Sequence, residues 1–232
     1  MSKISLRPLS ERGRALNPDQ LHTFWHNGYL VVEDLLDSAT MNQLRDEYEV
    51  VCREARAKGA FGNFAQRESA EEEGREVMAI NQVCERNLFF NALLYNPQIL
   101  DVVEDLMGPN IQLFHDFILR KPDRHGGSVF WHQDNQAWQS MPPNNITCWI
   151  ALDDADAENG ALRYIAGSHR DTLGLSVDEE GRLEDMDRLI AEGNQHVAAV
   201  RAGGAVFHHC LTIHGSASNN SDRIRRAHSI IF

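Results

Sequence analysis

A chain of 232 residues, 42% hydrophobic and 24% charged, has globular composition and can bury roughly 70 to 75% of its unfolded surface, so the fold needs no disulfide or structural metal as a staple. Its 34 acidic against 22 basic side chains leave a net charge of −12, which opposes binding to phosphate backbones and excludes nucleic acid as an expected partner. Apolar runs such as 148–152 fall far short of the roughly 20 residues of a membrane span, and Met1-Ser2-Lys3-Ile4 opens no signal peptide, so a cytoplasmic protein without a membrane partner is expected.

The first third, 1–110, reads as helical and packed on a β core, 111–232, the whole forming a single domain over 1–232. Asn17-Pro18-Asp19-Gln20 supplies a cap, a proline at the first helical position and a Gln three residues past the cap, and Gly28 closes that helix. Asp37-Ser38 opens a second helix, in which Met41, Leu44, Tyr48, Val51 and Cys52 recur at helical spacing until Gly59. Residues 59–76 are rich in Gly, Glu, Arg and Gln and lack periodicity, so they read as a long loop of the kind that forms lids, with Phe61 and Phe64 as apolar contacts. Two further helices, 88–95 and 98–107, flank Asn96-Pro97.

From Ile111 the pattern turns to short strands, 111–121, 129–134, 146–152, 161–165, 197–200, 205–214 and 225–232, separated by Gly, Pro, Asn and Asp, as in a sandwich or barrel. The acidic stretch 171–195 reads as an insertion with a short helix at 183–192. Cys52, Cys84, Cys148 and Cys210 show no CxxC spacing and are expected to be reduced, buried thiols.

Trp131-His132-Gln133-Asp134 ends one of these strands, and in an extended chain His132 and Asp134 project to one side as half of a metal site. His214, 82 residues on, ends another strand before a glycine turn. Two imidazoles and one carboxylate leave three adjacent coordination positions open, which suits Fe(II) that binds a chelating cosubstrate and dioxygen, whereas zinc more often takes a closed tetrahedron. Eleven residues past His214, Arg225 lies in Arg223-Ile224-Arg225-Arg226, a run that by itself reads as a solvated edge. A guanidinium fork on that strand can also clamp a carboxylate, with Arg223 and Arg225 on one face and Arg226 on the other.

These motifs, in this order, resemble the phytanoyl-CoA dioxygenase family of Fe(II)- and 2-oxoglutarate-dependent oxygenases. The resemblance runs from Leu16-Asn17-Pro18-Asp19-Gln20-Leu21 and Gly28-Tyr29-Leu30-Val31-Val32 through Trp131-His132-Gln133-Asp134, 149–152, Asn159-Gly160-Ala161-Leu162 and Gly167-Ser168-His169 to His214-Gly215-Ser216, Ser221 and Arg225-Arg226. It implies a mainly β fold with flanking α-helices around a double-stranded β-helix, a jelly-roll, cupin-like core. It further implies His132, Asp134 and His214 as metal ligands, Arg225 on the far carboxylate of 2-oxoglutarate with Ser216 beside it, and Trp149 lining that pocket. Ala166 stands where the family usually has proline, and the seven residues after Arg225 predict a short last strand.

The expected activity is an Fe(II)/2-oxoglutarate-dependent dioxygenase that uses O2 to hydroxylate an unactivated C–H of a small-molecule metabolite, releasing succinate and CO2. Asp134 in place of Gly or Ala leaves no halide site, which disfavours halogenation. A non-oxidative cupin-type isomerase or ligand-binding protein would explain the metal ligands but not Arg225 and Trp149. A CoA substrate calls for a basic groove, and no Lys/Arg cluster beyond the last strand supplies one. Gln133 and Trp138 are the candidate substrate contacts, Trp138 equally fitting the core. His208 reads as a neighbour of the site or a satisfied core histidine, His169 as a turn residue, and Lys121 as a solvated side chain near the cavity mouth.

Overall fold

Capping chemistry sets the first helix. In α1 (Pro18–Asn27) the Asn17 side chain accepts from the Gln20 amide at 2.9 Å while the Gln20 side chain accepts from the Asn17 amide at 2.9 Å, and Gly28 ends the helix in the left-handed region at φ +81°. The computed structural model describes residues 15–65, 74–140, 142–171 and 186–232. Further helices are α2 (Ser38–Lys58), capped by Asp37, α3 (Leu88–Leu93), α4 (Pro97–Met107), capped by Asn96, α5 (Asp134–Trp138), α6 (Ser168–Asp171) and α7 (Met186–Glu192).

The strands are β1 (Tyr29–Val32), β2 (Gly62–Asn63), β3 (Met78–Asn81), β4 (His115–Lys121), β5 (Val129–His132), β6 (Ile146–Ala151), β7 (Leu162–Ile165), β8 (Gln195–Val197), β9 (Ala205–His209), β10 (His214–Ser216) and β11 (Arg225–Ile231). They form a seven-stranded sheet in the order β1-β9-β6-β11-β4-β3-β2 and a four-stranded sheet in the order β5-β10-β7-β8, with antiparallel pairing throughout. This is the two-sheet jelly roll that the family resemblance implies, and it falls within the sandwich or barrel that the strand pattern predicts.

Alternation along β6 sorts the two faces of the large sheet. Cys148 and Ile150 pack with Leu44, Tyr48, Phe90, Ile99 and Val103 of the helices, while Trp149 and Ala151 pack with Tyr164, Val206 and Ala227 between the sheets. Both faces are thus buried, which is why β6 reads as a continuous apolar run.

Four expectations need correction. The N-terminal third is not only helical: β1, β2 and β3 belong to the large sheet, β2 and β3 forming its edge beyond β4. The strand expected over 129–134 ends at His132, and Asp134 begins α5. The strand expected over 205–214 breaks after His209, so β9 lies in one sheet and β10 in the other. The last strand is not short, since β11 pairs with β4 over seven residues and with β6 over five. The predicted lid loop falls partly on 66–73, outside the described residues.

Gly28 joins α1 to β1 at a close approach. A methyl group there would collide with the Thr212 hydroxyl and the His169 ring, and the positive φ adds its own penalty. Gly28→Ala is expected to cost about 2 kcal/mol, read as a fall in Tm of roughly 4–8 °C in thermal denaturation.

Candidate metal centre and cosubstrate pocket

His132 and His214 are direct partners in the β5–β10 register, so the antiparallel pairing alone brings the two imidazoles together, with ring centroids 4.3 Å apart. Asp134 arrives differently. The turn between β9 and β10 pins the start of α5, because the Asn135 amide donates to the Cys210 carbonyl at 3.1 Å and the Gln133 side-chain amide donates to the Leu211 carbonyl. Asp134 Oδ1 then lies 3.7 Å from His132 Nε2 and 3.6 Å from His214 Nε2, and one donor atom from each of the three residues falls within 4.8 Å of the others.

Neighbouring groups assign the tautomers. His132 Nδ1 donates to the Phe130 carbonyl at 2.8 Å and His214 Nδ1 to the Thr212 carbonyl at 2.9 Å, which leaves both Nε2 lone pairs facing Asp134. Burial, and then the adjacent imidazole, pushes each of these histidines down to about 4, so both are neutral near pH 7. Burial works against ionisation of Asp134, but His214, His208 and His132 outweigh it and hold the carboxyl well below the usual carboxylate range. Two neutral imidazoles and one carboxylate with free donor atoms on one point are a donor set that could hold Fe(II).

The cavity above this point is about 240 Å³. Arg225 enters it from β11 and is 1% exposed. Its Nη1 donates to the Gly160 carbonyl at 3.1 Å and its guanidinium lies 5.2 Å from the centre of the Trp149 ring, yet Nε and Nη2 find no acceptor among the described residues. Trp149 Nε1 is similarly buried without an acceptor. Three orphaned N–H groups lining one cavity fit an occupant that brings carboxylate oxygens. Burial lowers the Arg225 guanidinium to about 10, so it stays charged.

Ser216 completes that wall through a residue the sequence undervalued. Lys121, expected in solvent, is fully buried and donates to Ser216 Oγ at 2.7 Å and to the Ala217 carbonyl at 2.5 Å. An ammonium only donates, so the Ser216 oxygen accepts and its own proton is left to donate. Lys121 pairs with Arg225 across β4 and β11, which is the signal that it belongs to the same end of the sheet.

Trp138 lines the cavity and leans on Phe114 with ring centroids 5.5 Å apart. Gln133 does not line it; its amide is engaged with Leu211 and its side chain is buried. Arg226 faces away and pairs with Asp153 at 2.7 Å and Glu49 at 2.8 Å. The outer wall holds Phe64, Asn81, His115, Phe117 and Leu119, none of them foreseen as site residues except Phe64 as an apolar contact. The spacing of two between His115, Phe117 and Leu119 along β4 is the strand signal that marks those three.

Acid should destabilise the metal-free protein. His132, His214 and His209 take up protons near 6.5 when unfolded but only at about 4 when folded, His209 because of burial and then His169 and His208. Between those values the unfolded chain holds more protons, so stability is full above about pH 6.5 and falls as the pH drops towards 4. Melting curves of metal-free protein across that window should show Tm falling steadily; a flat profile would contradict the neutral assignment.

A jelly roll of this kind is the fold of the non-haem 2-oxoglutarate-dependent oxygenases. The solved structure of the non-haem α-ketoglutarate-dependent carbocyclase SnoK from nogalamycin biosynthesis superposes with a TM-score of 0.76 at 24% identity, covering 94% of this chain and 85% of that one. The chain belongs to the phytanoyl-CoA dioxygenase family, whose model matches residues 24–227. Among relatives, the peroxisomal phytanoyl-CoA dioxygenase of Mus musculus is 30% identical over 94% of this chain and 68% of its own, and the ectoine dioxygenase of Bordetella parapertussis is 26% identical over 89% and 72%. The chain is therefore an Fe(II)/2-oxoglutarate-dependent dioxygenase that uses O2, and a non-oxidative cupin is not favoured. Among the described residues no helix is long and apolar enough to cross a membrane.

Proposed function

We propose that His132, Asp134 and His214 hold the iron, that Arg225, Ser216 and Trp149 seat 2-oxoglutarate, and that the enzyme hydroxylates an unactivated C–H of a small, largely apolar molecule. The observation that carries this reading is the convergence of the three donor atoms within 4.8 Å in the same cavity as the orphaned Arg225 and Trp149 donors. When bound, the iron supplies dioxygen activation coupled to decarboxylation of 2-oxoglutarate to succinate and CO2.

The chain's own residues do the rest. Arg225 offers two aligned N–H groups to the far carboxylate, and Ser216, its oxygen taken by Lys121, donates a third hydrogen bond there. Phe64, Phe117, Leu119 and Trp138 present an apolar outer chamber that excludes water and favours a substrate of matching character, with Asn81 and His115 as the polar contacts. Phytanoyl-CoA and ectoine, the substrates in the relatives' names, bracket the choice. The described outer wall carries no Lys or Arg to meet CoA phosphates, which favours a small metabolite.

Anaerobic addition of Fe(II) and 2-oxoglutarate should produce the weak visible metal-to-ligand charge-transfer band of a chelated cosubstrate. Screening a metabolite library for stimulated succinate release then identifies the substrate. Metal binding without the band would return the site to a non-oxidative cupin.

A further inference from the structure

We infer that His208, fixed by Tyr164, is a positioning residue that keeps Asp134 bound to the metal through one oxygen only. The inference rests on the assignment of His132, Asp134 and His214 as ligands. His208 lies on β9, in the opposite sheet from His132 and His214, and is 2% exposed. Its Nε2 lies 3.0 Å from Asp134 Oδ2 and its Nδ1 lies 2.9 Å from the Tyr164 hydroxyl. An ionised carboxylate only accepts, so Nε2–H donates to Asp134, and the Tyr164 hydroxyl donates to Nδ1. Tyr164 is itself held flat against Tyr29, with ring centroids 4.3 Å apart at 7°.

Asp134 Oδ2 also accepts from Thr147 Oγ1 at 2.8 Å. With two donors on Oδ2, only Oδ1 is free, and it is Oδ1 that faces His132 and His214. Without His208, Oδ2 would keep only the Thr147 bond, and a carboxylate held less firmly could turn to offer both oxygens and close a coordination position that the cosubstrate or dioxygen requires. Chelation of iron by two imidazoles and one carboxylate does not itself call for a third buried imidazole beside them, so the Tyr164–His208 pair needs a role of its own.

The test uses Co(II) as a spectroscopic probe in the full-length protein, with His208→Leu, His208→Gln and Tyr164→Phe. His208→Leu should weaken Co(II) binding roughly ten- to hundredfold, the usual effect of removing a group that orients a ligand, and should alter the visible Co(II) spectrum. It should also raise the apparent KM for 2-oxoglutarate more than it lowers kcat. Tyr164→Phe should move every readout in the same direction by less. His208→Gln, whose amide can still donate to Asp134, should recover much of the loss.

Unchanged Co(II) affinity and spectrum in folded His208→Leu and Tyr164→Phe would overturn the inference, as would equal losses in the Leu and Gln variants, which would assign the effect to packing. If His208→Leu does not fold, Tyr164→Phe, which removes a single oxygen, decides alone. Normal Co(II) binding by His132→Ala would instead remove the ligand assignment and leave the hydrogen bonds to Asp134 purely structural.

Discussion

His214→Ala and His132→Ala are each expected to abolish Fe(II) binding and turnover while the fold persists. Each imidazole supplies one of three converging donors, and its loss leaves two, so affinity should fall by more than the roughly hundredfold cost of an outer-sphere change. The fold should survive because the core lies elsewhere, between the large sheet and its helices and between Trp149, Tyr164, Val206 and Ala227. Equilibrium dialysis against Fe(II), succinate release and circular dichroism check the three parts. Retained turnover with a large loss of stability would reverse the roles and make both histidines structural.

Arg225→Lys should raise the apparent 2-oxoglutarate requirement roughly ten- to hundredfold with iron affinity unchanged. Lysine keeps the charge but replaces the planar fork by a single ammonium, losing one charge-assisted hydrogen bond of about 1.5–3 kcal/mol and the stacking over Trp149. Arg226→Lys provides the internal control, since Arg226 points to Asp153 and Glu49 on the other face and should leave the requirement near its original value. A larger effect at Arg226 than at Arg225 would place the dicarboxylate on the wrong side of β11.

The parts of the molecule governed by short-range periodicity were legible in the chain. Helix caps at Asn17 and Asp37, the stripe of Leu44, Tyr48 and Val51, and most of the β4–β11 strand pattern follow from spacings of two, three and four. The two histidines and Arg225 were also within reach, because alternation and motif order place them. Long-range pairing was not. Nothing local marks Met78–Asn81 as a strand, since its partner β4 lies more than thirty residues on and supplies the sheet edge on which it forms. The single strand expected over 205–214 failed because the backbone turns between β9 and β10, and that turn sends His208 and His214 into facing sheets. Lys121 was misjudged because a lysine's default is solvent, and only its pairing with Arg225 and its bond to Ser216 reverse that.

The cavity's inner and outer walls are made by different stretches of polypeptide. The proposed metal donors and carboxylate clamp come from β5, β6, β10, β11 and the start of α5, whereas Phe64, Asn81, His115, Phe117 and Trp138 belong to the β2–β3 edge, the outer half of β4 and the end of α5. On the proposed assignment, reaction chemistry and substrate choice rest on separate sets of side chains. A library confined to those five outer positions can retarget the catalyst while the oxidising machinery is left untouched, and natural divergence of substrate range can follow the same route.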